Sequence, residues 1–152
     1  MTTRTGAAHT LALMARVARV REIQAKQALA EAIERKNAQQ ERTREAHLRA
    51  DRSDVALQAA LEGAVVDLAR LPLLQELSAH VQAMLADENA QLTECEQRVG
   101  SQASVSGKRA RLRERLEEKA AIVSDDIRQA DEARQLEFAT EVWLVRRATE
   151  GP

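Results

Sequence analysis

Residue types capable of catalysis or metal binding are few in this chain and poorly spaced for one another. His9, His47 and His80 are scattered, and none has a Cys or second His at metal-ligand spacing. Cys95 is alone, which excludes a disulfide framework within the chain and a cysteine-based metal cluster. Asp125, Asp126, Asp131 and Glu132 form an acidic patch. Acids in a row on one helix, however, do not converge on a substrate. The stretch GSQASVSGK, residues 100–108, ends in Gly-Lys as a phosphate-binding loop does. That loop requires four residues between its glycines, a Ser or Thr after the Lys, and a preceding strand. Here six residues separate Gly100 from Gly107, Arg109 follows Lys108, and no strand pattern precedes. No enzymatic activity, cofactor or metal is expected.

The run KRARLRERLEEK offers Lys108, Arg109, Arg111, Arg113 and Arg115 as phosphate-neutralising groups. The formal net charge is −1, and no aromatic platform accompanies the run on which bases would stack. A solvated helix start, its bases meeting the acidic middle of the chain, is the plainer account. Nucleic acid is not an expected partner. What remains is a protein whose function is to touch other proteins.

The elements that position these residues follow from composition. Aromatics are 1% and charged residues 31%, with Pro 2 and Gly 5 in 152 residues. Ala occurs 29 times, and with Glu, Arg, Gln and Leu it dominates; all are strong helix formers. A globular domain of this length would use several aromatics to fill its centre. The chain is rich in helix and poor in core, which implies helices sharing a narrow seam. Residues 1–20 hold three arginines and no acid, 61–107 hold two bases and seven acids, and 108–119 hold six bases and three acids. Such blocks suit a two-armed structure whose arms meet opposite charge, although a solvated face also accounts for them. No stretch approaches the ~18 apolar residues of a membrane span. The apolar run in HTLALMARVAR stops at Arg16, too short for a signal peptide. A cytoplasmic protein that does not span a membrane is the default.

Along the chain, residues 1–9 are small and polar and are expected to form a disordered tail. A helical pattern starts near Thr10, with Leu13, Val17 and Val20 at i, i+4 and i+7 and Ile23 continuing that face. Glu22–Lys26, Glu31–Arg35 and Glu45–Arg49 place an acid four residues before a base, an order that supports a solvated helix. Between Glu34 and His47 there is no large apolar residue, so this part is expected to be an exposed arm with only Ala38 and Ala46 facing a partner. Leu57, Leu61, Val65 (or Ala64) and Leu68 restore a stripe. Pro72 predicts a break or kink near Leu71, since proline is tolerated in the first turn of a new helix. Beyond it Leu74, Leu77, Val81, Leu85, Leu92, Cys95 and Val99 make the cleanest coiled-coil seam. The Ser- and Gly-rich 100–107 is the best loop candidate. A last helix over about 108–147 uses Leu112, Leu116, Val123, Ile127 and Ala130. The expected fold is all-α. It is a single coiled-coil domain over 10–150, a long antiparallel helical hairpin (helices about 10–70 and 73–99, loop 100–107, helix 108–147) with a break in the return arm. An elongated three-helix bundle is the alternative.

At LMARVARVREIQAKQALAEAIERKNAQQE the chain resembles the FliJ/YscO family of type III secretion and flagellar export proteins, in particular its Hrp-type members of plant-associated bacteria. The similar features are a short tail, an early apolar-plus-Arg turn (Val17, Arg19, Val20, Arg21) and the Ala/Gln/Glu/Arg run that follows. The detailed match covers about the first fifty residues; the rest is architectural. The resemblance implies a non-enzymatic stalk or adaptor peripheral to the cytoplasmic face of the inner-membrane export apparatus. Its implied partners are the hexameric export ATPase, the export gate membrane protein and export chaperones. The paired helix ends would enter the ATPase, which points to Arg16, Arg19, Arg21, Trp143, Arg146 and Arg147. The segment after Pro72 would lie toward the gate, where Leu73, Leu77, His80 and Met84 fall at i, i+4, i+7 and i+11; widening of the stripe for a three-helix contact explains these four equally well. A break at 100–107 departs from the family's unbroken return arm. A cytoplasmic coiled-coil scaffold or chaperone with no ATPase partner is the alternative function.

Both aromatics, Phe138 and Trp143, sit in the last fifteen residues. Phe138, Val142 and Val145 share a stripe, and Phe138 is expected to pack on Leu13, Val17 and Val20 as a clamp holding the two ends together. Trp143 lies about 100° from Val142, beside Arg146 and Arg147. It is expected to serve either as a docking anchor, Trp and Arg being the residues enriched in interface hot spots, or as a cover for the first helix or a stack on Arg147.

Overall fold

The structure, a computed structural model, describes residues 2–63 and 69–149, with side chains from residue 5. Two helices account for nearly all of it: α1, Thr2–Glu62, and α2, Arg70–Thr149. They pack antiparallel as an all-α helical hairpin, and no strand occurs among the described residues.

Three expected interruptions move or vanish. Residues 2–9 are helical rather than a disordered tail. Ala7 and Ala8 favour the helix, and the Thr10 hydroxyl turns back to donate to the Gly6 carbonyl at 2.9 Å. The loop expected at 100–107 is also helical, so the return arm has no break and the three-helix alternative falls. No described glycine adopts a positive φ. Two glycines cost about 1 kcal/mol each in a helix interior, but helix already nucleated on both sides needs only propagation, and strong formers flank the segment. Ser101 fits by donating its hydroxyl to the Arg98 carbonyl at 2.8 Å. Finally, α1 stops at Glu62, just before Gly63, rather than near 70. Pro72 falls in the first turn of α2, where its missing N–H has no intrahelical acceptor to lose. Ala64, Val65 and Leu68 lie outside the described residues.

The chain divides into two compact units. One comprises Ala25–Ser106. Apart from Leu29, its α1 face is built from small and polar side chains at alternating three- and four-residue steps: Ala25, Leu29, Ala32, Lys36, Gln39, Thr43, Ala46, Ala50. Its α2 face carries larger ones at the same spacing, including Leu74, Val81, Leu85, Leu92 and Val99. Small against large lets two helices approach closely along a seam one residue wide. Leu77, expected in that seam, is 51% exposed beside it.

The segment 34–47 is not an exposed arm. Gln39, Thr43 and Ala46 are buried, whereas Ala38 is exposed. The apolar gap is filled by polar groups that satisfy one another. Gln39 donates to the Glu88 carboxylate and also to its carbonyl at 3.2 Å, and the Thr43 hydroxyl lies 3.0 Å from the Gln39 carbonyl and 3.3 Å from that of Glu88. Nearer the turn, Asp54 accepts from Ser78 at 2.9 Å and Gln82 at 3.0 Å. Among the described residues no buried side-chain N or O lacks a partner.

Candidate functional site

The second unit comprises Met1–Gln24 and Gly107–Pro152. Its seam again uses alanine on α1: Ala15 and Ala18 are buried, and Leu11 is half-buried. Leu116, Ala120, Val123 and Ile127 line α2 at matching spacing. The next α1 position is Glu22, 5% exposed. Its carboxylate meets the Arg113 guanidinium at 2.5 Å, and Arg113 also reaches Glu117, which Arg19 contacts from α1 at 2.7 Å. Arg109 adds a bond to the Arg21 carbonyl at 3.3 Å. The hydrogen bond to Glu22 pushes the Arg113 pKa further up, with the Glu117 charge adding to it. The bond from Arg19, aided by the Arg113 charge, holds the Glu117 carboxyl below its ordinary value against partial desolvation. The basic run thus lies inside a helix, not at its start, and two of its arginines bind the early part of α1 rather than the acidic middle of the chain.

The expected clamp does not form. Phe138 is 67% exposed, and Leu13, Val17, Val20 and Val142 are exposed as well. Burying Ala15, Ala18 and Glu22 turns Leu13, Val17, Val20 and Ile23 to the opposite face of α1. Register removes Phe138 from reach. From the Glu22–Arg113 pair, about twenty residues down α1 reach its first residue, and an equal rise along α2 stops at about residue 133. Consistent with that, Ala130 is the last half-buried residue of α2, and every residue from 131 to 149 is exposed.

This overhang carries six large apolar side chains: Leu136, Phe138, Val142, Trp143, Leu144 and Val145. Phe138, Glu141, Val142, Val145, Arg146 and Thr149 line a shallow groove along one side of it. Trp143 is 55% exposed on another face, and the Arg147 guanidinium sits over its ring, 4.9 Å from the centroid. Stacking on Arg147 is therefore realised, while Trp143 does not cover α1. Arg16 and Arg146 are exposed, and Arg19 is tied to Glu117.

In the unit Ala25–Ser106, Leu73, Leu77, His80 and Met84 are all exposed, so they do not widen the seam into a three-helix contact. Met84 also borders a shallow cleft with Arg42, Glu45, Arg49 and Glu88.

Sequence reasoning missed the alanine seam and the Glu22–Arg113 pair. The signal was available for the first, because Ala15, Ala18, Ala25 and Ala32 keep the heptad spacing. Weighting by size favoured Leu13, Val17 and Val20 instead. Among the described residues no group of three His, Cys, Asp or Glu is placed to hold a metal ion, and no helix is long and apolar enough to cross a membrane. Comparison with protein-family models, curated proteins and solved structures gives no match.

Proposed function

We propose that this chain is a non-enzymatic coiled-coil stalk or adaptor of a bacterial type III protein export apparatus, acting at the cytoplasmic face of the inner membrane. In this role it couples the export ATPase to the export gate and engages export chaperones. The observation that carries the proposal is that the first part of α1, to Gln24, and the second half of α2, from Gly107, belong to one helical unit. That unit exposes Arg16 on α1 and Trp143, Arg146 and Arg147 on α2. Exposed arginines beside an aromatic are the side-chain types that dominate docking surfaces. The gate-facing residues would be Leu73, Leu77, His80 and Met84, exposed in the other unit. The sequence resemblance points the same way.

Co-purification with the hexameric export ATPase tests this. The expected result is retention of the ATPase by the wild-type chain and loss of at least tenfold in affinity for Trp143→Ala with Arg146→Ala and Arg147→Ala, about 1.4 kcal/mol or more. A reconstituted hexamer that neither binds the protein nor changes its activity would refute the stalk role.

A further inference from the structure

Between Val99 and Leu116 the α2 side of the seam holds no large apolar side chain. Its positions there are Gln102, Ser106, Arg109, Ala110 and Arg113, while Val105 and Leu112 are exposed. From Leu71 to Val99, and again from Leu116 to Ile127, a large apolar residue recurs in the seam at least every seven residues; here the interval is seventeen. On α1, the stretch Ala25–Ala32 offers the seam three alanines and only Leu29 as a large side chain. Apolar burial is what holds most protein helices in place, and over these turns there is little of it.

Side-chain ties between the helices skip the same place. On one side α2 is bonded to α1 at Glu88, which Gln39 contacts. On the other it is bonded through Arg109, Arg113 and Glu117. Among the described residues, the one side-chain hydrogen bond made by 100–107 runs back along α2, from Ser101 to the Arg98 carbonyl. A serine bonded to its own helix favours bending and fastens nothing to the neighbouring helix.

The backbone is also weakest here. Gly100, Ser101, Ser104, Val105, Ser106 and Gly107 are all poor helix formers, which leaves only Gln102 and Ala103 to favour the helix in these eight residues. Gly and Ser are also the residues at which long helices bend. Propensity and packing, the two things that hold a helix, therefore fail in the same two turns.

We infer that Gly100–Gly107 is a joint built into α2, where the helix opens locally while its flanks, tied at Glu88 and at Arg113, stay paired with α1. An opening confined to these turns lets α2 bend without breaking the seam on either side. Segments with few buried apolar contacts are the ones that open below the global unfolding free energy. The inference does not rest on the export role, because it uses only the seam and the helix propensities.

Hydrogen exchange of the full chain, read by mass spectrometry, tests it. Amides of 101–107 are expected to exchange at least about tenfold faster, relative to their intrinsic rates, than those of 89–99 and 113–127. Raising urea below the unfolding transition should accelerate the flanks and leave 101–107 nearly unchanged, since a small opening exposes little surface. A Cβ at either glycine meets nothing within 4 Å, so Gly100→Ala with Gly107→Ala should fold normally and slow exchange in the window by about 20-fold. Ala103→Gly, at an exposed position, should speed it by about fivefold. Protection in 101–107 equal to that of the flanks would overturn the inference. So would an equally steep urea dependence, which would mean that the segment opens only with the whole hairpin, or exchange that ignores both sets of substitutions.

Discussion

Glu22 and Arg113 meet at 2.5 Å inside the α1–α2 seam, at a position where neighbouring turns place alanine. Glu22 is nearly buried and Arg113 largely so, and Glu117 and Arg19 complete the network. An ion pair in a helix–helix seam is poor evidence of stability, because desolvation offsets the attraction. Its better-attested consequence is register, since sliding either helix would strand a charge among alanines.

Removing one partner should therefore cost more than removing both. Glu22→Leu or Arg113→Leu alone is expected to lower the melting temperature well beyond Glu31→Leu, whose exposed partner Arg35 is 3.7 Å away. The double variant Glu22→Leu with Arg113→Leu should recover most of the loss. Thermal melts of the four chains give the coupling.

Glu117 gives the network a pH dependence of known sign. Its carboxyl is held below the ordinary carboxylate value by Arg19 and Arg113, so its contribution is complete above that ordinary value and is lost as pH falls through the lowered one. Melting temperature should decline on acidification through this window, and Glu117→Gln should flatten the decline. An unchanged slope in Glu117→Gln would assign the acid sensitivity to other carboxylates.

The alanine seam reverses the usual expectation for core substitutions. Ala50, only 2% exposed, has no room for added methylenes, so Ala50→Leu should destabilise by about 1–3 kcal/mol. Val17→Ala, on the outward face, should change stability by no more than about 0.5 kcal/mol. Denaturant titration of both separates this seam from one built on Leu13, Val17 and Val20.

Gly100 and Gly107 sit in mid-helix, and a Cβ at either would meet nothing within 4 Å. With ordinary helical backbone, Gly100→Ala and Gly107→Ala should each stabilise by about 0.5–1 kcal/mol, or roughly 2–4 °C in melting temperature. A fall in either would show that the glycine has a role beyond being tolerated.

Composition determined that the chain is helical and paired, and the α2 seam through Leu74, Val81, Leu85, Leu92 and Val99 was legible from spacing alone. The turn was marked by Pro72, because proline's chemistry is local. The choice of face on α1 was not legible, because two stripes compete there and the larger residues lie on the losing one. That choice depends on what α2 presents across the seam, which is a pairwise property. Nor could spacing reveal that α2 outruns α1. The overhang, and with it the exposure of Phe138, follows from register, fixed only where Glu22 meets Arg113 and Gln39 meets Glu88. Local propensities wrote the helices, while long-range pairing decided which faces they hide.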